Sequence, residues 1–173
     1  MANPNTNTTY TVIGSVGTCT GVATSTVSIN SLPTITATST VICNGQSATL
    51  VAGGATTYTW STMQQNDSII VNPSATTNYS VAGTDANSCR NFTVATVNVN
   101  PLPNVTATST VICIGNSTIL TASGATNYTW TPPTALSATV GPNVNCTAIN
   151  TTTYVVTGTD GNGCSKSANA IVT

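Results

Sequence analysis

Residues 32–60 and 102–130 are one segment written twice: LPTITATSTVICNGQSATLVAGGATTYTW over LPNVTATSTVICIGNSTILTASGATNYTW gives 20 identities in 29 positions without a gap, at a period of 70 residues. Further on, Tyr79 through Asp85 matches Tyr154 through Asp160, and Cys89 matches Cys164, at an offset of 75. The later copy therefore carries five extra residues between Trp130 and Tyr154. Asn3 to Val12 lines up with Asn72 to Val81, and Cys19 with Cys89, so the opening stretch belongs to the same series. The chain thus reads as the tail of one unit (1–31), a full unit (32–101) and a second full unit (102–173), joined at Leu32-Pro33 and Leu102-Pro103. Proline restricts the backbone on both sides of itself, which suits a short, stiff joint.

Within a unit the apolar pattern has period two, as in Thr93-Val94-Ala95-Thr96-Val97-Asn98-Val99 and Tyr58-Thr59-Trp60, with turn signals such as Asn44-Gly45 and Gly53-Gly54 between the runs. β-Branched residues dominate and the apolar spacing of three and four is missing, so no window reads as a helix. The expectation is an all-β chain of tandem immunoglobulin-like β-sandwich repeats of about 70 residues, six or seven short strands each, with a Trp on the third.

A unit of this size has a marginal apolar core, and a disulfide worth roughly 2–4 kcal/mol decides whether it folds alone. Each full unit holds the two repeating cysteines, and the expected pairs are Cys43 with Cys89 and Cys113 with Cys164. A geometric objection stands against them. In a seven-strand sandwich the first hairpin and the last lie at opposite ends, so either a strand is uncounted or the pairing is wrong.

Six cysteines, no histidine and no CxxC do not make an ordinary structural zinc site, and no metal or other cofactor is expected. They point to disulfides and an oxidising compartment, with buried free thiols as the alternative. Only 3% of the chain is charged, with a net charge of −1. Solubility falls to hydroxyls and amides, 39 residues being Thr alone. Arg90 and Lys166 are the only basic side chains, too few for electrostatic capture of nucleic acid or an anionic membrane surface. The longest aliphatic runs, such as Ile69-Ile70-Val71, are far too short to span a bilayer, so membrane insertion is not expected. The first residues, Met1-Ala2-Asn3-Pro4-Asn5, lack the basic and apolar regions of a signal peptide, so the expectation is a mature piece whose export signal lies elsewhere.

General acid–base catalysis needs a group titrating near neutrality or a carboxylate pair, and the chain offers only Asp67, Asp85 and Asp160. No catalytic residue is assigned, and the chain is not expected to be an enzyme. Asp85 and Asp160 occupy the same place in successive repeats, before a turn. An Asp there bonds its own backbone, and a calcium reading competes with that one. Thr34, Thr36, Thr38 and Thr40, repeated at Thr106, Thr108 and Thr110, read as hydroxyls on one strand face, either simply solvated or ordering water as an ice-binding face does. Tyr58, Trp60, Tyr128 and Trp130 are either core or, if exposed, a platform for sugar rings. The sequons at Asn7, Asn66 and Asn91 are expected by chance in this composition.

The run Cys43-Asn44-Gly45-Gln46-Ser47, followed by Tyr58-Thr59-Trp60, Gly83-Thr84-Asp85 and the Asn-Pro-Leu-Pro joint, resembles the Ig-like/PKD-like repeats of giant surface adhesins of Bacteroidota. The resemblance covers essentially the whole chain. It implies an extracellular or cell-surface protein exported by a type IX pathway, its repeats forming stalks, adhesins or filaments. The partners it implies are copies of itself or adjacent repeats of a longer chain, and surface glycans. A glycan-binding or spacer module of a secreted enzyme is the alternative. Asp67-Ser68-Ile69 looks like the O-glycosylation motif of those bacteria, which makes Ser68 a candidate site. Cys146 departs from the family pattern. With Cys19 it is left unassigned, either as an inter-subunit link in a polymer, the half-unit being completed by strands of a neighbour, or as two unpaired thiols.

Overall fold

The computed structural model describes residues 3–173, so Met1 and Ala2 of the opening partial unit lie outside the described residues. Fifteen strands and no helix make up the described residues. The opening partial unit is a single hairpin of β1 (Thr8–Val16) and β2 (Cys19–Val27). Residues 32–101 hold β3 (Thr36–Ala37), β4 (Thr40–Cys43), β5 (Ala48–Gly53), β6 (Thr57–Trp60), β7 (Ser68–Val71), β8 (Thr77–Thr84) and β9 (Arg90–Asn100). Residues 102–173 hold β10 (Thr106–Ala107), β11 (Thr118–Ser123), β12 (Asn127–Thr131), β13 (Asn143–Cys146), β14 (Thr152–Thr159) and β15 (Ser165–Val172).

The sheet orders are β3-β5-β7 and β4-β9-β8-β6 in the first full repeat, then β10-β11-β13 and β12-β14-β15 in the second. One three-stranded sheet beside a second sheet made of the third, penultimate and last long strands is the immunoglobulin arrangement. The chain packs as two compact units. One takes the residues up to Thr38 with 51–69 and 79–95, and the other takes 39–50, 70–78 and 96–173.

In the first full repeat the first strand is broken into β3 and β4, so Trp60 falls on the fourth strand, β6, while Trp130 of the second repeat is on the third, β12, as expected. Thr38 makes the break: its amide donates to the Val51 carbonyl at 3.1 Å, and its Oγ1 accepts the Val51 amide at 3.0 Å. One residue later the Ser39 hydroxyl accepts the Thr96 amide at 2.9 Å, and β4 then runs parallel to β9 with Thr40 opposite Val97 and Cys43 opposite Asn100. Thr108, Ser109 and Thr110 repeat the device against Thr121, Ile171 and Val172. The threonine run is therefore not one continuous hydroxyl face. Its third member is spent on the backbone where the strand changes sheets.

Period-two burial fills the core of the second repeat. In β12 only Tyr128 and Trp130 point inward, and in β14 only Tyr154, Val156 and Gly158 do. Trp130, Leu120, Val144, Tyr154, Val156 and Val172 are at most 2% exposed and pack in one cluster. The five-residue insertion after Trp130 lays Ala135 and Leu136 against that cluster. Trp60, Leu50, Val81 and Val97 are equally buried in the first repeat. The β1–β2 hairpin carries the same pattern uncovered: Val12, equivalent to Val81 and Val156 at 0%, is 68% exposed.

Glycine is required where β11 ends. Gly124 has φ +92°, and a Cβ there would lie 1.9 Å from the Asn104 carbonyl oxygen. Gly115 has nearly the same φ, +91°, with open space around it. Gly115→Ala is thus expected to cost about 1–2 kcal/mol through backbone strain alone, and Gly124→Ala to cost clearly more because backbone must move as well. Urea midpoints of the two variants measure the difference.

Candidate functional site

The feature that no single repeat explains is a bond. Cys43 is joined to Cys164 with their Cα atoms 5.5 Å apart and a sequence separation of 121. The expected pairs Cys43–Cys89 and Cys113–Cys164 are not formed, and the reason is strand length. Cys43 stands opposite Asn100 at the end of β9, whereas Cys89 precedes Arg90 at its start. Eleven residues at about 3.3 Å each separate those ends by roughly 35 Å, and a disulfide needs Cα atoms within about 7 Å. Cys113 fails to reach Cys164 for the same reason: the Ile112 amide donates to Thr173, past the far end of β15, which opens just after Cys164. A cysteine of the first full repeat therefore bonds the turn cysteine of the second.

Cys19, Cys89, Cys113 and Cys146 are not bonded in this structure. Cys19 is exposed at the tip of the β1–β2 hairpin, Cys113 is exposed, and Cys89 is half-buried. Cys146 is 0% exposed. By the offset of 75 it stands where the first full repeat has Val71, so it acts as a small core hydrophobe. A bond from Cys146 to another chain would require opening that core, which removes it as a partner for Cys19.

The Cys146 thiol donates to the Tyr154 hydroxyl at 3.4 Å, and that hydroxyl donates to the Thr134 carbonyl at 2.9 Å. Burial, reinforced by the neighbouring thiol, pushes the Tyr154 phenol from 10.0 up to about 12. The folded state thus favours the neutral phenol. Its contribution to stability is complete below pH 10 and is lost as pH rises from 10 through about 12. Denaturation midpoints across that window should fall for the native chain, and the Tyr154 share of the fall should vanish in Tyr154→Phe.

The remaining candidates resolve into local structure. One carboxylate oxygen of Asp85 accepts the amides of Asn87 and Cys89 at 2.9 and 2.8 Å, and Asp160 accepts those of Asn162 and Cys164 at 2.9 Å each. That is the backbone-bonding turn, with the carboxylate fixing the loop that carries the cysteine. Tyr58 and Tyr128 bond the backbone of Ala55 and Ala125, while the indoles of Trp60 and Trp130 donate to Asn66 and Gly141 carbonyls at 2.9 Å. All four aromatics are core, so none forms a sugar platform. Ser68 opens β7 half-buried.

Sequence reasoning missed Phe92, which is 73% exposed. It borders a groove of about 600 Å³ on β6, β8 and β9, lined also by Thr59, Ser80, Ala82, Arg90 and Val94. The signal was its place in period two: Phe92 and Val94 alternate with Thr93 and Ala95 on the face opposite Val97.

No family model and no curated protein matches the chain by sequence. Among solved structures, DIP-gamma IG1+IG2 is similar at 11% identity with a TM-score of 0.41, covering 84% of this chain and 98% of that one. A 1.5-MDa bacterial ice-binding adhesin is similar at 14% identity with a TM-score of 0.43, covering 94% and 72%. A Ca²⁺-stabilized adhesin with which an Antarctic bacterium binds ice is similar at 12% identity with a TM-score of 0.42, covering 97% and 57%. At these values no function or partner transfers. Strand order, burial and sheet composition define the class by themselves: an all-β chain of immunoglobulin-like sandwich repeats.

Proposed function

We propose that this chain is a structural and adhesive segment of a secreted or cell-surface bacterial protein, forming an extracellular stalk or filament and carrying out no catalysis. The observation that carries the reading is the Cys43–Cys164 bond. A disulfide within a repeat stabilises that repeat, whereas one joining successive repeats fixes the path between them and bears load along the chain. It also belongs in an oxidising, extracytoplasmic setting. Origin in Bacteroidota, type IX export and O-glycosylation at Ser68 rest on the repeat resemblance and are part of the same proposal.

Glycan binding is the second reading, and the exposed Phe92 with its groove favours it. An aromatic ring standing free beside hydroxyls and a guanidinium is the surface on which a sugar stacks. A glycan array decides between them. The structural reading expects no saturable binding, while binding that is lost in Phe92→Ala with the fold intact would replace it with the glycan-binding module.

A further inference from the structure

We propose that Cys113 and Cys89 are the two open halves of the link that Cys43 and Cys164 close, and that each is filled by the complementary cysteine of a second copy of this chain. The inference rests on the structural-repeat reading and adds its partner and its chemistry. Cys113 stands where Cys43 stands in the repeat, and the two loops match: the Gln46 amide donates to the Cys43 carbonyl at 3.0 Å, and the Asn116 amide to the Cys113 carbonyl at 3.0 Å. Gly45 and Gly115, two residues past each cysteine, share φ near +90°. Cys89 stands where Cys164 stands, and Asp85 holds its turn by the same two amide bonds with which Asp160 holds the bonded one. Both half-sites are thus already shaped as the bonded pair is, and the bond between their counterparts shows that the two shapes fit.

The other two unbonded thiols do not meet this description. Cys146 is sealed in the core. Cys19 shares the repeat position of Cys89, but its hairpin turns tightly between Val16 and Cys19 with no Asp to shape the loop. Every copy carries one half-site of each kind, so the contact is heterologous and joins copies head to tail. Closing one link removes two thiol protons and two electrons. Oxidised glutathione accepts them and leaves as two glutathione thiols.

The test is to incubate the purified chain with oxidised glutathione and resolve it without reductant. A ladder at multiples of 17.3 kDa that dithiothreitol collapses is expected. Cys113→Ser and Cys89→Ser should each stay monomeric. Mixed together they should give dimer and nothing larger, because each retains the half the other lacks. Cys19→Ser and Cys146→Val should keep the full ladder, and near-ultraviolet circular dichroism checks that every variant is folded. A native chain that stays monomeric, a ladder surviving in either single variant, or a ladder lost with Cys19→Ser would overturn the proposal. A monomer that also ignores glycans would remove this link and leave the stalk reading standing, whereas saturable Phe92-dependent binding would remove that reading itself.

Discussion

Trp130→Ala is expected to unfold the second full repeat at ordinary temperature. The side chain is 1% exposed within the core cluster, and its indole N–H satisfies the Gly141 carbonyl. Truncating a buried Trp costs about 3–5 kcal/mol, and a domain of this size holds roughly 4–10 kcal/mol in all. The loss also leaves the Gly141 carbonyl without its partner inside the loop that the five-residue insertion builds. Thermal melts by near-ultraviolet circular dichroism read the outcome. Phe92→Ala is the matched control, an aromatic on the surface whose removal should stay within about 0.5 kcal/mol. Equal losses in the two variants would contradict the burial of Trp130 and the exposure of Phe92.

The second large effect belongs to Cys43→Ser. The bond closes a loop of 121 residues, and the chain-entropy model assigns nearly 5 kcal/mol to a loop of about that length. Cys164→Ser should shift the denaturant midpoint equally, and the double variant should shift it no further, since both remove one bond. Cys89→Ser and Cys113→Ser should leave the midpoint of the monomer nearly unchanged. Under the alternative of bonds within each repeat, all four substitutions would destabilise alike.

Much of this was legible from the residues. Period two and the turn dipeptides gave the strands, and the offsets of 70 and 75 gave the repeats. The pairing of Tyr and Trp on one strand face offered the core as one of two readings, and the place of Asp85 and Asp160 before a turn offered the backbone-bonding role beside calcium. These are local properties, carried by residues a few positions apart. Cys146 was left unassigned, although the offset of 75 sets it on Val71, a position buried in the first repeat.

The disulfide was not legible, because it depends on a non-local fact. The broken first strand crosses to the other sheet and runs parallel to the last strand, which sends Cys43 to the end of the repeat opposite its own turn cysteine. Nothing in the composition of Thr38-Ser39-Thr40 announces that crossing. Its hydroxyls look like any solvated strand face until the amides of Val51 and Thr96 are seen to need them. The objection that the two ends of a sandwich are far apart was sound. It was the assumption that a repeat keeps its disulfide to itself that failed.

The bond between repeats is open to direct disulfide mapping. The unreduced chain is alkylated, cut with chymotrypsin and analysed by mass spectrometry before and after reduction. One linked species containing Cys43 and Cys164, with Cys89, Cys113 and buried Cys146 recovered as thiols from the monomer, is the predicted result. Linked peptides joining Cys43 to Cys89 and Cys113 to Cys164 would contradict it, and would return each repeat to standing alone.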